Sequence, residues 1–262
     1  MQIITDINSP IVSDFRNLKN HIFSKNNLII METKKVLLKY FDTNLKPYKC
    51  LITEDFYQEK SDLLNTKLNP ENIYVANKKI MESIVGHNLH HGIFLIGERP
   101  KDTSLEDLQF PCLILNGVSG PENVGAIVRS CASFNIQNII VDAKSCSPYV
   151  RRAIRVSMGN IFELKIHHTP NLNQSIDYLK KKNIKILGTA NTMAAKSIHQ
   201  YSFKQNCALI LGSEGNGIDE IILDSCDNLL KIPINPKVNS LNIHNAASIF
   251  LYELTKQKEA QE

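Results

Sequence analysis

Over the first hundred residues, short uninterrupted apolar runs alternate with stretches whose apolar positions recur every three or four residues. The runs "NNLIIM", "KCLIT", "NIYVA" and "HGIFLIG" predict strands, while "TKKVLLKYF", "EDFYQEKSDLLN" and "NKKIMESIV" gather their apolar residues on one helical side. The alternation then breaks. "ERPKDTSLEDLQFP" is charged, polar and bracketed by prolines, so the chain reads as a small α/β domain over residues 1–98, a linker over 99–110 and a larger domain over 111–262.

After the linker the pattern resumes with longer elements. "CLILN", "NIIVDA", "IFELKI", "IKILGTA", "CALILGS" and "NLLKIPI" are strand-like, separated by helical patterns near 122–134, 148–157, 172–182 and 218–226. A last helix carries Ile243, Ala246, Ala247, Phe250, Leu251 and Leu254 on one stripe. Strands that are apolar throughout and separated by helices predict an α/β fold, with a mostly parallel sheet covered by helices on both faces. Ligands of such sheets bind beyond the carboxyl ends of the strands, so the loops leaving those ends are where chemistry is to be sought.

Composition narrows the class. Apolar residues at 43% and charged residues at 21% are those of a soluble globular chain, and no apolar run approaches the ~20 residues of a membrane span. The first residues lack the basic head and apolar core of an export signal. Cys50, Cys112, Cys131, Cys146, Cys207 and Cys226 form no C-x-x-C, and several lie inside apolar runs, as buried thiols of a reducing compartment do. The expectation is a cytoplasmic protein without a metal site. His90-His91 and His167-His168 also lack partners at metal-ligand spacing. The net charge of +4 is uneven, for residues 143–204 hold 11 basic side chains and 2 acidic ones. That excess is either a solvated lysine-rich face or a patch that attracts phosphates. In "YVRRAIRVS", Arg151, Arg152 and Arg155 have helical spacing, so at least two guanidinium forks project together, a geometry that suits phosphate oxygens.

Three loops carry the candidate chemistry. "NGVSGPENVGAIVRSC", residues 116–131, leaves a strand, turns at Gly120-Pro121 and enters a helix for which Asn123 is a candidate N-cap. Arg129 lies at the edge of that helix's apolar stripe, where a snorkelling arginine and a functional cation look alike. "ALILGSEGNGIDE", residues 208–220, is a glycine loop before a helix, yet it lacks the Lys-Ser/Thr of a P-loop and the spacing G-x-G-x-x-G. Glu214 at its centre suits a ligand bearing hydroxyls, an amine or a positive centre; a tight turn with a solvated glutamate is the plain alternative. "LLKIPINPKVNSLNIHNAASIFLYEL", residues 229–254, ends a strand with two prolines and opens the last helix near Ser240, a candidate N-cap, with Asn242 in the first turn. Amides at that helix start equally suit a ligand.

Together and in this order, the three stretches resemble the SpoU/TrmH family of RNA ribose 2'-O-methyltransferases in the SPOUT superfamily. Its P-x-N-x-G-x-x-x-R is met by Pro121, Asn123, Gly125 and Arg129; its G-[NS]-E-G-x-G by Gly212, Ser213, Glu214, Gly215 and Gly217. Its I-P-(x6)-S-L-N-[VI] is met by Ile232, Pro233, Ser240, Leu241, Asn242 and Ile243, and "RVSMGNIF" looks like the family's S-x-G segment. The resemblance covers residues 111–257. Residues 1–98 look, less specifically, like the small α/β RNA-binding domain many members carry. Asn135 stands where the family has Gly, Pro236 and Asn239 replace a Gly and a Glu, and His244 is atypical.

The resemblance implies S-adenosylmethionine as methyl donor, a deep trefoil knot in the C-terminal segments, and a homodimer. It implies attack of a ribose 2'-hydroxyl on the donated methyl, with Arg129 holding an RNA phosphate and stabilising the forming alkoxide. Asn123, Glu214, Ser240 and Asn242 would orient the reacting groups. The donor would lie near Thr189, Ala190, Leu211, Gly212, Ile232 and Leu241, with Glu214 and Ser240 beside it. Arg151, Arg152 and Arg155 become candidate RNA contacts, and the extra N-terminal domain favours ribosomal over transfer RNA as partner. The rival readings are an RNA-binding relative without catalysis and, with the wrong glycine spacing, a dinucleotide-dependent oxidoreductase.

Overall fold

The structure is a computed structural model and describes residues 1–16, 18, 27–89, 91–203 and 206–259. Asn26, His90 and Lys204, which entered the sequence reading, lie outside the described residues. Up to Pro100 the chain forms β1 (Gln2–Ile3), β2 (Leu28–Glu32), α1 (Lys34–Phe41), β3 (Pro47–Thr53), α2 (Glu54–Lys67), β4 (Ile73–Ala76), α3 (Lys78–Val85) and β5 (Ile93–Glu98). Next come β6 (Cys112–Leu115), α4 (Pro121–Ser133), β7 (Asn138–Asp142) and α5 (Arg151–Val156). Then follow β8 (Lys165–Thr169), α6 (Leu172–Lys181), β9 (Lys185–Thr189), β10 (Lys196–Ser197), β11 (Cys207–Leu211), α7 (Glu220–Asp224), β12 (Asn228–Lys231) and α8 (Ile243–Glu259). The chain divides into two compact units: Met1–Pro100 with Tyr149–Phe162, and Lys101–Pro148 with Glu163–Glu262.

The first unit is a five-stranded sheet in the order β1-β4-β3-β5-β2. Helices α1, α2 and α3 begin where a side-chain oxygen satisfies an orphan amide: Thr33 accepts from Val36, Thr53 from Phe56 and Asn77 from Ile80. Ile30, Leu51, Tyr74 and Phe94 of the strands pack with Met81 and Ile84 of α3. Each such large apolar side chain contributes about 1.5–3 kcal/mol on burial.

Residues 149–162 are built into this unit. The expected helix is present as α5, but the strand expected at "IFELKI" begins only at Lys165, because residues 160–163 form a short 3-10 turn. Periodicity reports that α5 has a buried side; it does not report what covers it. Arg151 Nη1 and Arg155 Nη1 each lie 3.0 Å from a carboxylate oxygen of Glu32, which is 7% exposed at the end of β2. Beyond α5 the chain turns through Met158 at φ 55° and Gly159 at φ 80°, where a Cβ would stand 3.2 Å from the Val36 Cα. Phe162 then meets the Tyr40 ring edge-on at 5.3 Å.

The second unit is a seven-stranded sheet in the order β10-β12-β9-β11-β6-β7-β8. Every neighbouring pair is parallel, as apolar strands alternating with helices predict. From β6 the chain builds outward through β7 and β8, then returns to lay β9, β11 and β12 on the other side. The order therefore reverses between β6 and β11, and at such a reversal the loops part to leave a crevice. Helix α4 starts at Pro121 behind Gly120, so Asn123 lies in the first turn and does not cap it. Proline at the first helical position fixes φ and has no N–H to satisfy, which is why the helix starts earlier than the Asn123 cap reading placed it. Asn135 takes φ 53° just after α4, the left-handed turn that asparagine tolerates in place of glycine. Among the described residues no helix is long and apolar enough to cross a membrane.

Replacing Glu32 with Ala would leave two guanidinium groups, 22% and 32% exposed, without their anion. The expected loss is about 2–4 kcal/mol of unfolding free energy, read from the urea midpoint. An unchanged midpoint would show that the cluster contributes nothing to stability.

Candidate active site

The three loops named from the sequence leave the same end of the parallel sheet. The first follows β6. Asn116 N–H donates to the Leu211 carbonyl at 2.9 Å, Gly117 N–H to the Asp142 carboxylate and Val118 N–H to Ser145 Oγ at 2.9 Å. The second follows β11 and closes on itself, with Ser213 and Gly217 exchanging backbone hydrogen bonds of 2.8 and 3.0 Å. Gly212 permits that neck, since a Cβ there would fall 2.1 Å from the Gly217 carbonyl carbon. Glu214, Gly215 and Asn216 stand exposed at the tip. These two loops border a hollow of about 510 Å³ into which Asn123, Lys144 and Glu214 face.

The third loop ends at Asn242, which caps α8 by accepting the His244 N–H at 2.9 Å. Ser240, the candidate cap, lies two residues upstream. Asn242 Nδ2 donates to Glu214 Oε1 at 2.6 Å and stands 3.4 Å from Asn123 Oδ1. Asn123 of the first turn of α4, Glu214 of the glycine loop and Asn242 at the start of α8 thus come together from three separate segments. Arg129 does not join that cluster: it is exposed on α4, about 9 Å of helix rise beyond Asn123. Among the described residues its guanidinium has no hydrogen-bond or ion-pair partner.

A second cleft, of about 130 Å³, opens at the carboxyl ends of β9 and β12 against α8. Thr189, Ala190, Ile232, Ser240 and Leu241 line it, five of the residues expected around a donor. Leu211, Gly212 and Glu214 do not; Leu211 is buried in β11 and Glu214 faces the other hollow. Ala190 N–H is held by the Leu230 carbonyl at 3.0 Å, and Asn191 Nδ2 donates to the Asn239 carbonyl at 3.1 Å, fastening the rim. Leu230, Ala246 and Phe250 complete the apolar floor. Sequence reasoning missed them because the end of an apolar strand and a helix stripe look like ordinary core. Of the arginines expected at RNA, Arg151 and Arg155 are engaged by Glu32, while Arg152 is exposed.

Between the loops lies a polar network that the sequence reading did not single out. Asn116 Oδ1 accepts the Asp219 N–H at 2.8 Å; its Nδ2 donates to Asp142 at 2.9 Å and to Asp219 at 3.1 Å. Lys144 Nζ meets Asp219 at 2.8 Å. The Lys144 ammonium first, and then the Asn116 amide, hold the Asp219 carboxyl below the ordinary carboxylate range. A polar residue closing an apolar strand was the available signal. Because the folded pKa is depressed, the stabilisation is present at neutral pH and fades as the pH falls through that lowered value. Lys144→Met is expected to raise the Asp219 pKa towards the ordinary range in a carboxyl NMR titration; an unmoved titration would assign the depression elsewhere.

Residues 111–252 match the SpoU rRNA Methylase family. The 23S rRNA (guanosine-2'-O-)-methyltransferase RlmB of Coxiella burnetii is 36% identical over 151 residues, 56% of this chain and 59% of that relative. RlmB of Escherichia coli strain K12 is 30% identical over 194 residues, 71% of this chain and 79% of that relative. Among solved structures, an AdoMet-bound rRNA methyltransferase from Sinorhizobium meliloti has a TM-score of 0.85 at 19% identity, covering 97% of each chain. The SpoU methyltransferase AviRb from Streptomyces viridochromogenes, in complex with AdoMet, has 0.82 at 18%, covering 96% of this chain and 100% of that one. The two structures share the fold, and the family match spans more than half of the sequence: the chain belongs to the SpoU rRNA Methylase family.

Proposed function

We infer that this protein is an RNA ribose 2'-O-methyltransferase that uses S-adenosylmethionine and acts on ribosomal RNA, with a guanosine of 23S rRNA as the target by analogy with its relatives. One observation carries this reading: Leu241 lines the apolar cleft while Asn242, next in the chain, enters the polar cluster with Glu214 and Asn123. An apolar cleft and a cluster able to orient a hydroxyl are thereby contiguous through one peptide bond.

The cleft fits the donor. Its floor of Leu230, Ile232 and Phe250 suits a purine face, and the polar edges of Thr189 and Ser240 stand at its rim. Thr189, Ala190, Ile232, Ser240 and Leu241 would hold S-adenosylmethionine there, with Leu211 and Gly212 backing the neighbouring strand end. When bound, S-adenosylmethionine supplies an electrophilic methyl group on a sulfonium.

The chain's own residues then have distinct tasks. Arg129 is a permanent cation on the exposed face of α4, outside the Glu214 cluster, so it pairs with an RNA phosphate beside the target ribose and brings positive charge towards the 2'-oxygen. Asn242 fixes one carboxylate oxygen of Glu214 and leaves the other to orient the hydroxyl and accept its proton. Asn123 and Ser240 bracket this arrangement and limit the approach to one line. Arg152, exposed on α5, contacts RNA phosphate; Arg151 and Arg155 hold α5 in place through Glu32.

Two further expectations belong to this reading. The path in which β11 enters between β9 and β6, and β12 returns to the far side of β9, supports a trefoil knot over the C-terminal segments. Ile249 and Tyr252 on α8, 39% and 54% exposed, support a homodimer seated on that helix.

Arg129→Ala is expected to lower methyl transfer by about 100-fold or more, with calorimetric donor affinity retained. Near-normal turnover would remove Arg129 from the reaction. Mass spectrometry of nuclease-digested ribosomal RNA, from cells with and without the protein, should show one 2'-O-methylated nucleoside missing. Identical digests would sink the proposed function.

A further inference from the structure

Asn116 closes the apolar strand β6 with a side chain that is 2% exposed. Both N–H groups of its amide and its oxygen are engaged: Nδ2 donates to Asp142 and to Asp219, and Oδ1 accepts the Asp219 N–H. Its backbone N–H meanwhile donates to the Leu211 carbonyl at 2.9 Å. One residue therefore grips both roots of the glycine loop, Leu211 at its start and Asp219 at its end, while Glu214 stands at the tip between them. Its neighbour Gly117 is fastened to Asp142, which also accepts the Ser145 N–H at 2.8 Å, so the loop leading to Asn123 is held by the same carboxylate.

We propose that Asn116 is a positioning residue for methyl transfer, whose buried amide sets the spacing between the loop presenting Asn123 and the loop presenting Glu214. This rests on the methyltransferase reading above. Asn116 acts through Glu214 and lies apart from the residues lining the donor cleft.

The chemistry explains why an amide stands there. Asp142 and Asp219 require donors, and the Asp219 N–H requires an acceptor; an amide offers both in one plane. A carboxylate at 116 would keep the acceptor, lose both donors and add negative charge beside two existing carboxylates. An alkyl side chain would leave buried polar groups unpaired. Lys144 balances Asp219 from the solvent side, and the Asn116 amide supplies its inner partner. Small displacements at these roots shift the Glu214 tip relative to Asn242, and a misplacement of about 1 Å at a reacting group costs up to ~100-fold in rate.

The test compares Asn116→Asp with the double variant Asn116→Asp, Asp142→Asn, in the full chain. Turnover is measured at saturating donor and RNA and normalised to donor-binding sites counted by calorimetry. Hydrogen exchange is followed at the Gly117 and Asp219 amides. Asn116→Asp is expected to lower kcat about 10–100-fold while donor Kd changes by less than about twofold. Protection should fall at Gly117 and Asp219 and persist along β6 and β11. The double variant should regain part of kcat, because the new amide at position 142 supplies one of the two missing donors and removes one of the facing carboxylates. Wild-type kcat in Asn116→Asp overturns the proposal, as does a loss of donor affinity matching the loss of kcat, or a double variant as slow as the single one. Should Asn116→Asp not fold, Asn116→Ser takes the same measurements: reduced kcat with donor binding kept supports the proposal, and wild-type kcat overturns it. If the wild-type chain methylates no RNA, the proposed function fails. The exchange pattern then still decides whether Asn116 holds the two loops.

Discussion

The parallel register of β6 against β11 governs the site. Leu115 stands level with Leu211, so the residues that follow them, Asn116 and Gly212, leave the sheet side by side. A shift of one residue would turn every side chain of one strand to the opposite face, burying what should be exposed and separating the two loop roots. Strands whose side chains are buried throughout hold this register firmly. The polar cluster of Asn123, Glu214 and Asn242 is assembled on that rigid platform from loops whose tips are themselves exposed.

The loops have distinct means of support. The first is anchored by the Asp142 carboxylate and Ser145, the second by its own backbone neck and by Asn116, and the third by the cap that Asn242 provides to α8. Asn242 serves both the helix and the cluster, one oxygen accepting the His244 N–H while its nitrogen donates to Glu214. Departures from the family pattern at Pro236 and Asn239 fall in this third loop and His244 in the first turn of α8, yet Asn239 keeps a structural duty through its carbonyl, which accepts from Asn191.

Much of this was legible in the residues. Apolar runs marked the central strands, glycine and proline marked the loops, and motif order brought Asn123, Glu214 and Asn242 into one proposal. What periodicity misses is which surface a buried side meets. The helical spacing of Arg151 and Arg155 was read correctly as two forks on one side; the anion they meet is Glu32, more than a hundred residues earlier in the chain. Helix starts were misplaced by two or three residues because Asn123 and Ser240 have good capping chemistry, while Pro121 and Asn242 took the positions. Asn116 escaped notice since a lone asparagine after a strand carries no pattern. Its importance lies in three long-range partners.

The membership of residues 149–162 in the first unit has a bearing on how such proteins can be taken apart. The chain passes from one unit to the other at three places, near residues 100, 148 and 162, so the units are entwined in sequence although each has its own core. Cutting once after Pro100 would part Ala153 and Ile154, both fully buried, from the rest of the unit they belong to. Exchange of the N-terminal unit between relatives would have to carry this short helix along with it, and a graft that omits it would set an arginine-rich, oily segment loose in the remaining half.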